Sequence, residues 1–330
     1  MISIAETSST PKYKQIVNSI EEAIVSKSLK QGDALPSLNS IRDAHNVSRD
    51  TVLSAFGELK TRGIIHSVAG KGYYVASEDV HVERKIFLLF DEMNAFKEDI
   101  YNHFLQGLGS GVQVDIFFHH FNSKVFQKLI AMNAGLYNTY IIMPSNLNNA
   151  YKSLEQLPNH QVFILDQTNE TLASYPSVHQ NFQRNVFEGL SQCANLMVDY
   201  NRLVLVNMTP HQPKGIELGL KQFCQSQNLK LTVLRSELPE RLKIHDIYMV
   251  LDDRTLVELI KKIKDSSFKL GEDIGIIAYN DTLLKTVFEG GITTISTDFA
   301  GMGKRLARMV LDEETEQIEN EYKVMKRQSL

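Results

Sequence analysis

The feature that most constrains the fold is an alternation of short apolar runs with longer amphipathic stretches between residues 86 and 296. Nine runs have the length and composition of buried strands: Ile86–Phe90, Val114–Phe118, Tyr140–Met143, Val162–Leu165, Leu203–Val206, Leu229–Val233, Ile247–Leu251, Ile274–Ala278 and Thr293–Ser296. Between the first two runs, Glu98–Gly109 has a helical pattern that places Phe104, Leu105 and Leu108 on its inner face. This alternation predicts an α/β fold with parallel sheets covered by helices. The length of the segment favours two lobes over one large sheet.

The N-terminal segment has a different pattern, with three helix-length stretches in its first 63 residues. Thr10 and Pro11 predict the cap and first residue of one helix, and Ser37 and Ser48 predict the starts of two more. Gly63 predicts the end of the third helix. The apolar residues at helical spacing are Ile16, Ile20, Ala23, Ile24, Ile41, Ala44, Val52, Ala55, Phe56 and Leu59.

Two short strands are predicted after these helices, at Ile64–Val68 and Tyr73–Val75, with a Gly-rich turn between them. Three helices followed by a hairpin predict a small winged helix-turn-helix. The predicted domains are therefore a DNA-binding domain over residues 1–76, a polar linker over 77–84, and a two-lobed effector-binding and dimerisation domain over 85–330.

Charge and composition are compatible with this division. The net charge of the chain is −4, yet residues 10–75 hold nine Lys/Arg against six Asp/Glu, a local charge of +3. The two cysteines, Cys193 and Cys224, form no metal-binding motif, and no apolar run is long enough to cross a membrane. We therefore expect a cytoplasmic protein with no membrane association, no metal site and no cofactor.

The N-terminal end of the third helix holds the strongest candidates for DNA contact, because this end of a recognition helix meets base edges in the major groove. Arg49 can bond guanine O6 and N7 together, although an ion pair with Asp50 or Glu58 is the alternative. The other DNA-binding residues predicted from these elements are Ser37, Ser48, Asp50, Thr51, Lys71 and Gly72.

Polar residues that follow the predicted strands are candidates for small-molecule binding, because ligands bind beyond the carboxyl ends of parallel strands. Their amides and carboxylates suit the hydroxyls of a sugar. On this ground the predicted effector-binding residues are Asn94, Ser145, Asp166, Asp252 and Asn280. None of these positions has a cluster of Lys and Arg residues suited to binding a phosphate, although Lys214 or Arg184 could contribute to binding an acidic ligand. Helix capping is the alternative role for such residues, and we expect it for Asp253 and Asp281.

The N-terminal motifs resemble the GntR-type DNA-binding domain in five blocks that occur in the family's order. The blocks are Pro11-x-Tyr13-x-Gln15-Ile16, Gly32-Asp33-x-Leu35-Pro36-Ser37, Val47-Ser48-Arg49-x-Thr51-Val52, Leu59-x-x-x-Gly63-Ile64 and Gly70-x-Gly72-x-Tyr74-Val75. The chain departs from the family at Asn39, where a DNA-contacting Arg is common.

The remaining chain resembles the LacI-type effector domain, which is itself similar to periplasmic sugar-binding proteins. The resemblance is clearest at residues 165–166, 271–281, 292–295 and 302–307, and Lys323–Ser329 looks like that family's closing basic strand. It implies ligand-binding positions for Asn280 and for the Gln180-Asn181 pair, and it places Tyr101 near an aromatic residue that stacks against sugar. A GntR-type domain joined to this effector domain is the arrangement of arabinose-type repressors.

The sequence therefore predicts a DNA-binding transcriptional regulator, a repressor of a carbohydrate-utilisation operon that a small sugar or sugar derivative releases. The expected partners are a palindromic double-stranded DNA operator, a small-molecule effector and a second copy of the chain. The alternative is a GntR-type regulator whose second domain senses a non-sugar metabolite or has an enzymatic ancestry. We expect no enzyme, because the second half has neither a nucleophile elbow nor a dinucleotide fingerprint.

Overall fold

A computed structural model describes residues 2–5, 10–80, 84–208 and 211–330. Residues 81–83 of the predicted linker lie outside the described residues. The chain divides into two compact units, one comprising Met1–Phe90, Leu108–Ile142 and Asn149–Phe163, the other Asp91–Gly107, Met143–Asn148 and Ile164–Leu330.

The N-terminal segment folds as the sequence predicts, into three helices followed by a two-stranded antiparallel hairpin. The elements are α1 (Lys12–Val25), α2 (Leu38–His45), α3 (Arg49–Thr61), β1 (Ile65–Val68) and β2 (Gly72–Val75). Their apolar faces form one core in which Ile16, Val52 and Phe56 are fully buried. Ala44 of α2 is exposed, so its predicted inward position is wrong. Pro11 occupies the N-cap of α1 instead of its first position, and no side chain caps this helix.

Twelve further strands lie in the described part of the chain: β3 (Arg84–Phe90), β4 (Val112–Phe118), β5 (Thr139–Ile142), β6 (Val162–Asp166), β7 (Ser177–His179), β8 (Arg202–Val206), β9 (Lys230–Leu234), β10 (Asp246–Val250), β11 (Ile274–Tyr279), β12 (Thr293–Thr297), β13 (Gln317–Glu319) and β14 (Tyr322–Met325). The helices between them are α4 (Ala95–Leu108), α5 (Ser123–Asn133), α6 (Ala150–Leu154), α7 (Phe182–Cys193), α8 (Lys214–Ser226), α9 (Asp253–Lys264), α10 (Leu283–Val287) and α11 (Phe299–Leu311). All nine predicted strands are present.

The strands form two six-stranded sheets, as the two-lobed prediction requires. The N-terminal sheet has the order β13-β7-β6-β5-β3-β4, and the C-terminal sheet has the order β14-β12-β11-β10-β8-β9. The C-terminal sheet is parallel except for β14, which pairs antiparallel with β12. The central strands of this sheet are buried along their whole length, as is typical of parallel strands covered on both faces.

One side chain of α4 does not lie on the face that was predicted for it. Phe104 and Leu108 are buried on α4, but Leu105 is 37% exposed, so its predicted inward position is wrong.

Gly219 of α8 lies so close to α7 that a Cβ there would be 2.4 Å from the carbonyl oxygen of Gln183. No helix in the described residues is long and apolar enough to span a membrane.

Candidate functional site

The N-terminal end of α3 is a polar, exposed helix start. The Ser48 hydroxyl accepts a hydrogen bond from the Thr51 backbone amide at 3.1 Å and lies 2.8 Å from the Thr51 hydroxyl. Arg49 and Asp50 follow the cap and are exposed. Glu58, the alternative partner of Arg49, instead binds Lys14 at 2.7 Å. Since Arg49 has no ion pair with any described residue, its guanidinium is available to a ligand that binds at the N-terminal end of α3.

The other predicted DNA contacts lie on α2 and at the hairpin tip. Ser37 caps α2 by accepting from the Ser40 amide at 3.1 Å, and Asn39, the second residue of that helix, is exposed. Lys71 and Gly72 are exposed at the turn between β1 and β2. Gly72 has a φ of +108°, a conformation that side-chain-bearing residues rarely adopt. Contact of these residues with DNA stays a prediction.

A pocket of about 350 Å³ lies where the carboxyl ends of β6 and β7 meet the first residues of α7 and α8. Its volume falls within the range of small-molecule sites. It is lined by Asn146, Gln167, Thr168, His179, Gln180, Asn181, Phe182, Gln183, Pro213, Lys214 and Gly215. Five of these side chains are amides, which can donate and accept hydrogen bonds together.

Gln180 connects this pocket to a buried polar network. Its Nε2 donates to Asp166 Oδ1 at 2.5 Å, and its Oε1 accepts from the hydroxyls of Tyr279, at 3.1 Å, and Thr297. Burial and the nearby Asp91 carboxylate raise the pKa of Asp166. Since the amide uses both of its ends, Gln180 has a fixed orientation at the pocket wall.

A second buried hydrogen-bonded cluster contains Ser145, one of the predicted effector-binding residues. Its hydroxyl donates to Asp91 Oδ2 at 2.7 Å, and the other carboxylate oxygen of Asp91 pairs with the Lys97 ammonium. Ser145 and Asp166 both have positive φ angles, of 51° and 72°. Such backbone conformations are uncommon outside glycine and cluster at binding sites.

Several predicted effector residues act as helix caps. Asn94 accepts from the Lys97 amide at 3.2 Å, Asn181 from the Arg184 amide at 3.1 Å, and Asp252 from the Thr255 amide at 2.8 Å. Of the eight predicted residues, Gln180 and Asn181 line the pocket. Tyr101 is half-buried on α4. Their contact with an effector stays a prediction.

The expected caps at Asp253 and Asp281 are wrong. Asp252 caps α9 instead, and the Asp253 carboxylate lies 3.0 Å from the Lys285 ammonium. Asp281 forms a two-pronged ion pair with Arg327, with distances of 2.8 and 2.7 Å. An arginine fork holds a carboxylate in this geometry more firmly than a helix start would.

Lys285 is a buried cation that no sequence pattern indicates. It is 1% exposed, and its ammonium donates to the carbonyl oxygen of Asn280 at 2.7 Å. Burial lowers the pKa of Lys285, an effect that Asp253 and Asp281 oppose. Because Asn280 has a φ of 62°, the bond from Lys285 supports an otherwise unfavourable turn at the end of β11.

Among the buried side-chain atoms that lack a hydrogen-bond partner within the described residues, three lie just beyond strands: Thr168 Oγ1, Asn207 Oδ1 and Asn280 Oδ1. Each belongs to a residue that follows a strand, β6, β8 or β11 respectively. A buried polar atom without a partner costs about 1–3 kcal/mol. These atoms therefore favour ligand or water binding at the carboxyl ends of the strands.

Two family models match the chain. The model for bacterial regulatory proteins of the gntR family matches residues 12–75, and the model for the periplasmic binding protein-like domain matches residues 190–330. The HTH-type transcriptional repressor YtrA of Bacillus subtilis (strain 168) is 30% identical over 115 residues, which cover 35% of this chain and 85% of YtrA. The chain belongs to the gntR family of bacterial regulatory proteins. The predicted DNA-binding transcriptional regulator is thereby confirmed.

The regulator also has a relative of similar length. The arabinose metabolism transcriptional repressor of Geobacillus stearothermophilus is 22% identical over 331 residues, covering 91% of this chain and 90% of that protein. A solved structure of a LacI family transcriptional regulator from Enterococcus faecium, with bound ribose, matches with a TM-score of 0.58 and 16% identity. That match covers 74% of this chain and 97% of the other. The predicted fold is therefore confirmed.

Proposed function

We propose that this regulator represses a carbohydrate-utilisation operon and leaves its DNA when a sugar or sugar derivative binds. The observation that carries the proposal is a pocket of about 350 Å³ whose lining includes five amide side chains and the Thr168 hydroxyl, which has no hydrogen-bond partner among the described residues. Amides pair well with sugar hydroxyls because each can donate and accept. The arabinose repressor and the ribose-bound neighbour support this choice of ligand.

The DNA-bound form would be a homodimer that reads a palindromic operator in the bacterial cytoplasm. Each copy would place the start of α3 in a major groove, with Arg49 on a guanine and Lys71 on the backbone or minor groove. A symmetric dimer matches the twofold symmetry of a palindrome, and its half-sites would lie about 34–36 Å apart or at a multiple of that spacing.

The proposed role is sensing and not catalysis. The effector would have to bind the DNA-free state more tightly than the DNA-bound state, because equal affinity for both states would shift nothing. A difference of about 1.4 kcal/mol would lower operator affinity tenfold.

The test is fluorescence anisotropy with DNA from upstream of the regulator's own gene, against a panel of pentoses, hexoses and their acid and phosphate derivatives. We expect one compound to lower operator affinity at least about tenfold. Gln167→Ala should weaken that response, whereas Gln156→Ala, which alters an exposed amide outside the pocket, should leave it unchanged. Operator affinity that no compound changes would refute sensing of this class.

A further inference from the structure

The charge of the pocket wall is unusual for a site that binds a neutral sugar. None of the described lining residues is an Asp or a Glu, although carboxylates are strong acceptors for sugar hydroxyls. The ionisable side chains in the lining are Lys214 and His179. The wall therefore offers positive and neutral groups only.

Lys214 supplies the positive charge at neutral pH. It is the first residue of α8, it is exposed, and it has no ion pair with any described residue. His179 lies 2.9 Å from the Ser177 hydroxyl through Nδ1, and burial lowers its pKa, so its ring is uncharged near pH 7. Lys214 is thus the charged group that a ligand in this pocket would meet.

The carboxylates close to the wall are already engaged. Glu319 pairs with Arg184 and accepts a hydrogen bond from Asn181 at 3.2 Å. Asp166 lies behind the Gln180 amide, which donates to it. Neither carboxylate is therefore free to pair with the Lys214 ammonium.

We propose that the effector carries an anionic group, a carboxylate or a phosphate, which binds Lys214 while the amides hold its hydroxyl-bearing part. This inference rests on the proposed function, because it assigns the chemical class of the sensed molecule. A sugar acid and a sugar phosphate share the necessary chemistry, since either anion accepts charge-assisted hydrogen bonds from an ammonium.

The test is isothermal titration calorimetry on the full-length regulator in 150 mM salt, using glucose, galactose and mannose as free sugars, uronic acids and 6-phosphates, with inorganic phosphate as a further probe. An acid or phosphate form should bind at least about tenfold more tightly than its neutral parent. Comparison of the two anionic forms then identifies the carboxylate or the phosphate as the natural group.

Three variants test whether Lys214 is the cause of the preference for the anion. Lys214→Met should abolish the preference for the anion, and Lys214→Arg should retain most of it. Lys261→Met, which removes an exposed cation from α9 outside the pocket, should leave it intact. A neutral sugar that binds as tightly as its anions, or an anion preference that survives in Lys214→Met, would overturn this inference alone. Failure of every form to bind would overturn this inference, and the proposed function would fall with it only if no compound of the wider anisotropy panel changed operator affinity.

Discussion

Gln180 Nε2 lies 2.5 Å from Asp166 Oδ1, and this bond ties the end of β6 to the strand-to-helix junction at Gln180. The same two residues are joined through the backbone, since the Gln180 amide donates to the Asp166 carbonyl at 2.9 Å. The other end of the Gln180 side chain accepts from Tyr279 at 3.1 Å. With its bond to Thr297, this single side chain joins the pocket wall to β6, β11 and β12, so changes in this network should affect stability and binding together.

Replacing Asp166 with Asn should stabilise the protein at neutral pH. Burial raises the pKa of Asp166 above its unfolded value, so the ionised form destabilises the folded state at pH 7. Asn keeps the oxygen that accepts from Gln180, and we expect the free energy of unfolding to increase.

The gain should shrink as the pH falls through the raised pKa of Asp166, because the wild-type carboxyl then becomes neutral. Urea unfolding at pH 7.5 and at mildly acidic pH measures this. Glu240→Gln, at an exposed position, serves as the control. A gain that is independent of pH would contradict the assignment.

Gly219→Ala should destabilise the packing of α7 against α8. The new Cβ would lie 2.4 Å from the Gln183 carbonyl oxygen and 2.9 Å from the Val186 Cβ, so the helices would have to separate. Overpacking of this kind costs about 1–3 kcal/mol, measured by thermal or urea unfolding.

Gly57→Ala is the matched control, because Gly57 is exposed inside α3 and has nothing within 4 Å of its added Cβ. At Gly57 the substitution should raise the free energy of unfolding by about 0.5–1 kcal/mol, because Ala has a higher helix propensity than Gly. Equal effects at Gly57 and Gly219 would show that helix propensity, and not contact between α7 and α8, determines the result.

Arg49→Ala should weaken operator binding by about 1–3 kcal/mol and relax the preference at one base pair. Arg49→Lys should keep part of the affinity but lose that preference, since an ammonium lacks the two-pronged geometry. Lys60→Ala removes a cation from the other end of α3 and should have a smaller effect. Shift assays on operators substituted one base pair at a time distinguish these outcomes, and unchanged binding by Arg49→Ala would refute the base contact.

Ser48→Ala should destabilise the N-terminal domain by about 1 kcal/mol, because the Thr51 amide loses its capping oxygen. Ser54→Ala on the same helix is the control, since the Ser54 hydroxyl only donates back to the Asp50 carbonyl at 2.8 Å. Urea unfolding followed by circular dichroism should show a lower free energy of unfolding for Ser48→Ala and an unchanged one for Ser54→Ala. A comparable loss in both variants would argue against the cap as the cause.

Much of the secondary structure could be predicted because it depends on local patterns. Apolar runs such as Ile274–Ala278 identify strands that are buried on both faces, and Ser37 and Ser48 cap helices through their own neighbours. The strands β7 and β13 escaped prediction, since each has only three residues and no apolar run. Their pairing depends on partners that are distant in the sequence.

The candidate site was predicted less completely than the fold. The resemblance to the LacI-type effector domain indicated Gln180 and Asn181, but no sequence pattern indicated that Asn146, Thr168 and His179 line the pocket. The sequence could place an Asp after a strand, but it could not decide whether that residue caps a helix, as Asp252 does, or binds a distant cation, as Asp281 does. Such choices depend on side chains that only the fold brings together.

The sequence by itself determined the winged helix, the α/β class and the helix end that carries Arg49, because periodicity and capping act over a few residues. Only the tertiary structure decided which polar groups line one pocket, that Lys285 is buried, and that carboxylates near the pocket are already paired. The physical reason is that solvation and charge pairing depend on contacts between residues far apart in the chain. Those contacts leave Lys214 as the charged group in the pocket wall.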